Sequence, residues 1–333
     1  MSPTRGLPLA LGAEGEAVRD VQRRLAALGL ACAPDPEGTF GAATRAAVEA
    51  FQRRRGLRID AIVGPSTWAT LVEASYSLGD RPLYRRATMQ RGDDVAELQR
   101  RLCALGFDTG RVDGIFGDAT QAAVAEFQRN AGLPDDGAVG AVTLEALLRV
   151  APRTADPELV TAVRDRLALR LADPTLSGRA IAIGSSTELS TAAHNLARRL
   201  TELGATVTVL EVPDESAQAA AANAASAELF LGLRLTPETA GCRTMFYKGY
   251  TYESASGRLL GELLQARLPR VLAIPGDAAS GMALAVLRET KMTAVVVEVG
   301  PAEAVVRHGD LLATSIAEAV ERWATEAALH DDR

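Results

Sequence analysis

The sequence predicts a multidomain protein: two small three-helix domains followed by an α/β domain with a mostly parallel sheet. Three observations carry that expectation. A stretch of the first half recurs at a nearly fixed offset, its apolar residues fall at helical spacing, and the second half alternates short apolar runs with amphipathic stretches. Its 333 residues suit two or three domains.

The repeat comes first. Gly15-Glu-Ala-Val-Arg-Asp-Val-Gln-Arg-Arg-Leu25-Ala-Ala-Leu-Gly29 recurs as Gly92-Asp-Asp-Val-Ala-Glu-Leu-Gln-Arg-Arg-Leu102-Cys-Ala-Leu-Gly106. Gly38-Thr-Phe-Gly-Ala-Ala-Thr44 then matches Gly114-Ile-Phe-Gly-Asp-Ala-Thr120, and the register holds to Leu71 and Leu147 with one deletion. Val18, Val21, Leu25 and Leu28 form one apolar stripe that Gly29 ends, which predicts a first helix. Thr44 to Gln52 predicts a second, with Val48 and Phe51 inward. Ser66 or Thr67 is expected to cap a third that runs through Leu71. The turn from Asp113 to Gly117 needs glycine where the backbone takes positive φ.

This pattern resembles the peptidoglycan-binding domain of wall hydrolases over residues 9–74 and 87–150. The resemblance implies a shallow groove for a sugar or peptide ligand; the plainer alternative is a helical adaptor or spacer. The first copy alters the family's Asp-Gly turn twice, to Glu37-Gly38 and Asp60-Ala61. The second copy is therefore the expected ligand site, with Asp113, Gly114, Phe116, Gly117 and Gln128 as candidates.

Residues 151–177 read as a linker, with an amphipathic helix expected from Pro157 to Leu171. Beyond it, strands are expected at Arg179–Ile183, Thr206–Leu210, Glu228–Leu233 and Thr293–Val299. Helices are expected through Leu196, Leu200 and Leu203, over Ala217–Ala225 and Leu259–Leu268, and from Asp310 to Ala327. Such alternation implies a parallel sheet covered on both faces.

Residues 178–327 resemble the zinc-dependent N-acetylmuramoyl-L-alanine amidase domain. The matching pieces are Ala221-Ala-Asn223, Ala227-Glu-Leu-Phe-Leu-Gly-Leu233, Phe246-Tyr247 with Ser256-Gly-Arg-Leu-Leu-Gly, and Val286 to Met292 followed by Val295-Val-Val-Glu-Val-Gly300. The resemblance implies zinc held by His, Glu and His, with a glutamate base at Glu298. The residues depart from that set. No histidine follows the first strand, Glu188 stands near the second ligand position, and Arg234 stands at the third, where a permanently charged guanidinium cannot ligate a cation. The expectation is a zinc-less relative with no cofactor, in which Arg234 supplies the positive partner of Glu298. His194, His308 and His330 are expected to be surface or satisfied side chains, His308 in a loop.

Composition bounds the rest. The net charge of -6 with no basic stripe excludes a nucleic-acid partner, and no apolar run is long enough to span a membrane. Cys32, Cys103 and Cys242 suit reduced core thiols rather than a disulfide framework. The start, Met1-Ser-Pro-Thr-Arg-Gly, carries no apolar export signal, so a cytoplasmic location is expected. Two binding repeats, an amidase-like domain and that N-terminus resemble an actinobacterial group of amidase-like regulators of peptidoglycan precursor synthesis. That resemblance implies a pseudoenzyme, with peptidoglycan or its precursors and the enzyme MurA as partners. The group's threonine phosphorylation lies in a C-terminal extension. Arg333 follows the last helix here, so control of that form is not expected. A working zinc amidase and a plain peptidoglycan-binding module are the alternatives.

Overall fold

The computed structural model describes residues 6–86, 88–150, 174–236, 241–249 and 252–329, with residues 327–329 described as helical backbone alone. The helix expected from Pro157 to Leu171 and His330 lie outside the described residues. The chain divides into two compact units, the first built on the repeats and the second on the α/β domain.

Each repeat has three helices. In the first they are α1 (Glu16–Ala27), α2 (Ala42–Arg54) and α3 (Pro65–Glu73). In the second they are α4 (Asp93–Ala104), α5 (Asp118–Asn130) and α6 (Ala141–Arg149). Val18, Val21, Leu25, Phe40, Val48, Phe51 and Leu71 close one core, and their counterparts around Val95, Leu102, Phe116 and Phe127 close the other. The expected cap at Ser66 or Thr67 is corrected. The third helix starts two or three residues earlier, with Gly64 as N-cap and Pro65 in its first turn, and Thr67 is buried inside it.

What holds these short helices together is a buried glutamine clasp that occurs four times among the described residues. Gln22 Nε2 donates to the Thr39 carbonyl and Thr44 Oγ1, and its Oε1 accepts from Gly38 N. Gln52 does the same with the Ile62 carbonyl, Thr67 Oγ1 and Ala61 N. Gln99 engages the Ile115 carbonyl, Thr120 Oγ1 and Gly114 N. Gln128 engages the Ala138 carbonyl, Thr143 Oγ1 and Gly137 N. In each case one helix closes the turn that starts the next, so each repeat is itself two copies of a helix–clasp–turn unit. Gly38, Gly114 and Gly137 sit at φ +80, +73 and +70, and Ala61 takes φ +60 in the equivalent place. An alanine there carries a strain of about 1 kcal/mol.

One ion pair joins the repeats, and a second ties the segment between them to the second repeat. Arg55 grips Asp93 at 2.7 and 2.8 Å in a two-bond fork. Arg81, stacked 3.8 Å from the Tyr76 ring, bonds Asp94 at 2.7 Å, and Asp94 is only 1% exposed. Leu83, ahead of the boundary expected at residue 87, bridges Val139 as Leu9 bridges Val63.

The second unit is a six-stranded sheet: β1 (Ala180–Ser185), β2 (Thr206–Leu210), β3 (Leu229–Leu235), β4 (Gly241–Tyr247), β5 (Ser280–Met282) and β6 (Thr293–Gly300). Its order is β2-β1-β3-β6-β4-β5. β4 runs antiparallel to β6, and the other pairings are parallel. The helices are α7 (Ser190–Glu202), α8 (Glu215–Ala224), α9 (Ala255–Leu272), α10 (Ala285–Glu289) and α11 (Ala302–Leu329). Ile181, Ile183, Leu231, Leu233, Val295 and Val297 point to one face, against apolar residues of α7, α9 and α11. α8 and α10 pack on each other and cover the opposite face. His308 is corrected from a loop to a position inside α11, where its φ of -119 and ψ of 21 mark a kink.

Two predictions follow from the clasps. Replacing Gln128 by Leu leaves the buried Gly137 N–H without its partner and reduces the Ala138 carbonyl and the Thr143 hydroxyl to their mutual 3.3 Å bond, and is expected to cost about 1–3 kcal/mol in denaturant unfolding; a loss under about 0.5 kcal/mol would show the clasp to be dispensable. The Ala138 backbone N–H, and after it the Gln128 amide, hold the Asp136 carboxyl below its usual range. A depressed folded-state pKa gives stability that is present above the unfolded value of about 3.9 and lost as pH falls through the folded value. Asp136→Asn should therefore flatten the acid limb of the unfolding curve below about pH 4; an unchanged limb would contradict this.

Candidate functional site

In an open sheet with parallel strands, ligand sites form at the carboxyl ends of the strands where strand order reverses. Here that point lies between β1 and β3, since β2 flanks β1 on one side and β3 lies on the other. β3 ends in Leu233, Arg234 and Leu235, and the parallel register sets Arg234 directly beside Glu298 of β6. The antiparallel register sets Arg243 of β4 on the other side of Glu298. Side chains of paired residues share a face, so Arg234, Glu298 and Arg243 form a row on the face covered by α8 and α10. Arg234 and Glu298 are half-buried and Arg243 is exposed.

The expected Arg234–Glu298 ion pair is corrected. Arg234 Nη2 donates to Glu215 Oε1 at the first residue of α8. The second carboxylate oxygen of Glu215 accepts from Val286 N at 3.3 Å, at the start of α10. Glu215 thus anchors the arginine and both helices of that face. Among the described residues Glu298 and Arg243 have no ion pair. No sequence motif singled out Glu215. Its signal was indirect: Asp214-Glu215 opens a helix (the Asp214 side chain accepts from Ala217 N at 2.7 Å), and a half-buried arginine needs a carboxylate.

Glu188 lies in a 3-10 turn (Thr187–Leu189) after β1, exposed. The Ser186 hydroxyl beside it, and then its own backbone N–H, hold its carboxyl below the usual range. His194 sits on α7, exposed, with Nδ1 2.9 Å from the Ser190 carbonyl and 3.8 Å from Glu211. Among the described residues no hydrogen bond or ion pair joins Glu188 or His194 to Arg234 or Glu298. Among the described residues no three His, Cys, Asp or Glu side chains are grouped to hold a metal ion. A zinc ion needs three protein donors with an open fourth position. Arg234, a guanidinium tied to a carboxylate, is not such a donor, so no step through zinc can be drawn from it.

In the second repeat, Phe116 is buried in the core and the Gln128 amide is committed to its clasp. Withdrawal from water pushes the Asp113 carboxyl above its usual range, against hydrogen bonds from Gln99 and Ile115 N. A Cβ at Gly114 would stand 3.0 Å from the Gly92 carbonyl. These residues build the turn, and Gly117 opens α5 as its N-cap with Asp118 first in the helix.

Comparison with known proteins agrees with this architecture. The PG_binding_1 family, the peptidoglycan binding domain, matches residues 14–71 and 91–147. The N-acetylmuramoyl-L-alanine amidase CwlM of Mycobacterium tuberculosis is 34% identical over 340 residues, which span 90% of this chain and 84% of that protein. The N-acetylmuramoyl-L-alanine amidase CwlL of Bacillus licheniformis is 31% identical over 172 residues, 44% of this chain and 48% of that protein. Among solved structures, the catalytic domain of CwlV from Bacillus (Paenibacillus) polymyxa var. colistinus matches 44% of this chain and 97% of its own, with 14% identity and a TM-score of 0.37. The fold class is two peptidoglycan-binding helical domains followed by an amidase-like α/β domain with a mostly parallel, mixed sheet.

The geometry assigns the charge coupling at the strand ends. A double-mutant cycle on Arg234→Met and Glu215→Gln should give a coupling of about 1 kcal/mol in unfolding free energy, modest because both side chains are partly exposed. The matching cycle on Arg234→Met and Glu298→Gln should be smaller; the reverse order would return Arg234 to Glu298.

Proposed function

The chain belongs to the family of the N-acetylmuramoyl-L-alanine amidase CwlM, and from that premise we propose that it is a non-catalytic regulator or scaffold of peptidoglycan synthesis. The observation that carries this reading is Arg234, fixed by Glu215 at the strand end where the family resemblance calls for a zinc ligand. A metal-activated water needs a cation held by neutral or anionic donors. The arginine supplies a fixed positive charge with no open coordination position. Glu298 keeps the carboxylate of a general base, yet has no activated water to serve.

In this reading the second unit is a recognition surface and the repeats position it, with peptidoglycan or its precursors as the ligand class and MurA as the candidate protein partner. No helix among the described residues is long and apolar enough to cross a membrane, and the working location is the cytoplasm, where precursors are made.

Metal analysis of the purified full chain, paired with a muropeptide cleavage assay, tests the proposal. The expected result is zinc far below one equivalent and no release of peptide from muramic acid. Near-stoichiometric zinc with cleavage would overturn it in favour of an amidase. Binding to purified MurA is expected from the regulatory reading, whereas retention by isolated sacculi without MurA binding would make the chain a wall-binding module.

A further inference from the structure

The sheet of the second unit ends in two edges, and they differ. β5 is three residues long, whereas β2 runs Thr206-Val-Thr-Val-Leu210. Natural sheets blunt a free edge with a charge, a proline, a bulge or a covering element. β2 carries no charge and no proline, and Thr206 and Thr208 are exposed. Thr206 N donates to the Arg179 carbonyl at 2.8 Å, and the parallel register pairs Ala180 with Thr206 and Ala182 with Thr208. That phase turns the backbone groups of Thr206, Thr208 and Leu210 toward β1 and those of Val207 and Val209 outward. Among the described residues nothing bonds the outward N–H and carbonyl groups.

We propose that β2 is a self-association edge. A second copy of this chain adds its own β2 antiparallel to the first, across a twofold axis at Thr208, and two six-stranded sheets become one. This register satisfies every outward group, because Val207 of each copy forms a hydrogen-bonded pair with Val209 of the other. The side chains then meet like with like. Val207 meets Val209 on the face that packs against α7, α9 and α11, and Thr208 meets Thr208 on the opposite face. Leu203 and Val212, exposed by 37% and 36%, stand just before and just after the strand. Antiparallel pairing carries the Leu203 end of one copy toward the Val212 end of the other. A strand from a different protein would have to supply the same uncharged alternation, which β2 supplies for itself. β3 and β6, with Arg234 and Glu298, lie inside the sheet and take no part. The contact is short, so the dimer is weak and reversible, with a Kd on the order of 10 µM.

Sedimentation equilibrium on the full chain, at concentrations bracketing that value, should show the apparent mass rising from one chain toward two. Thr208→Lys sets two ammonium groups opposite each other and should weaken the dimer about fivefold. An equimolar mixture of T208K and T208E should restore it as a mixed pair. Cross-linking with oxidised glutathione checks the register, and it decides the question if T208K melts below the wild type. T208C should form an intermolecular disulfide, because a non-hydrogen-bonded antiparallel pair holds its Cα atoms about 4.5 Å apart. T206C, set opposite Leu210, should cross-link no more than the wild type with its half-buried Cys32. A chain that stays monomeric throughout, a dimer that a folded T208K leaves unchanged, or equal cross-linking of T206C and T208C would each overturn the proposal.

Discussion

The Arg234–Glu215 ion pair is the constraint on which the chemistry of the second unit depends. A parallel sheet gathers its ligand-facing groups at the carboxyl ends of its strands, so the charge placed there decides what the fold can do. A permanent guanidinium cannot be deprotonated to ligate a metal. Left alone and half-buried it would be costly, and Glu215 offsets that cost while also accepting from the start of α10. Helix start, strand end and second helix are thereby tied to one carboxylate. The result is an electrostatic centre in which Glu298 has Arg243 as its neighbour in the strand register.

The first unit depends on a different interaction with the same logic, a buried polar side chain that must be fully satisfied. A helix of nine to thirteen residues is marginal alone, and its packing needs the turn before the next helix to hold still. The glutamine amide, with donor and acceptor on one planar group, closes that turn from inside. Gln265 repeats the principle in the sheet domain, accepting from Thr244 N and donating to the Cys242 carbonyl. Satisfied networks of this kind fix one geometry, and a half-satisfied one would cost more than an apolar core.

Much of this was legible in the sequence because it rests on periodicity. The repeat, its six helices, and β1, β2, β3 and β6 follow from apolar spacing that a parallel sheet or a three-helix core imposes. β4 and β5 were missed for a physical reason: Gly241 to Tyr247 mixes Arg243 and Thr244 into an apolar run, and Ser280–Met282 is only three residues long. The last helix starts at Ala302, ahead of the expected Asp310: Pro301 is tolerated just before a helix, and Gly309 lies next to the kink at His308. At the site, Arg234 and Glu298 were singled out by the family resemblance, but their register neighbours were not. Which carboxylate an arginine selects depends on helix packing far off in sequence, and no local pattern encodes it.

The fourfold clasp also changes how turn decay in the first repeat should be read. By motif, Asp60-Ala61 is a loss, since glycine is the residue that takes positive φ without strain. Yet Ala61 adopts φ +60, its N–H reaches Gln52 Oε1 at 2.9 Å, and Asp60 accepts from the same glutamine at 2.7 Å. Several hydrogen bonds around one amide exceed a strain of about 1 kcal/mol, so the turn closes as its glycine counterparts do. The glycine, the glutamine and the threonine of these motifs therefore report on how the repeat folds. Whatever distinguishes one repeat's ligand from the other's has to be sought in exposed side chains around the turns, where the two copies differ without any cost to the clasp.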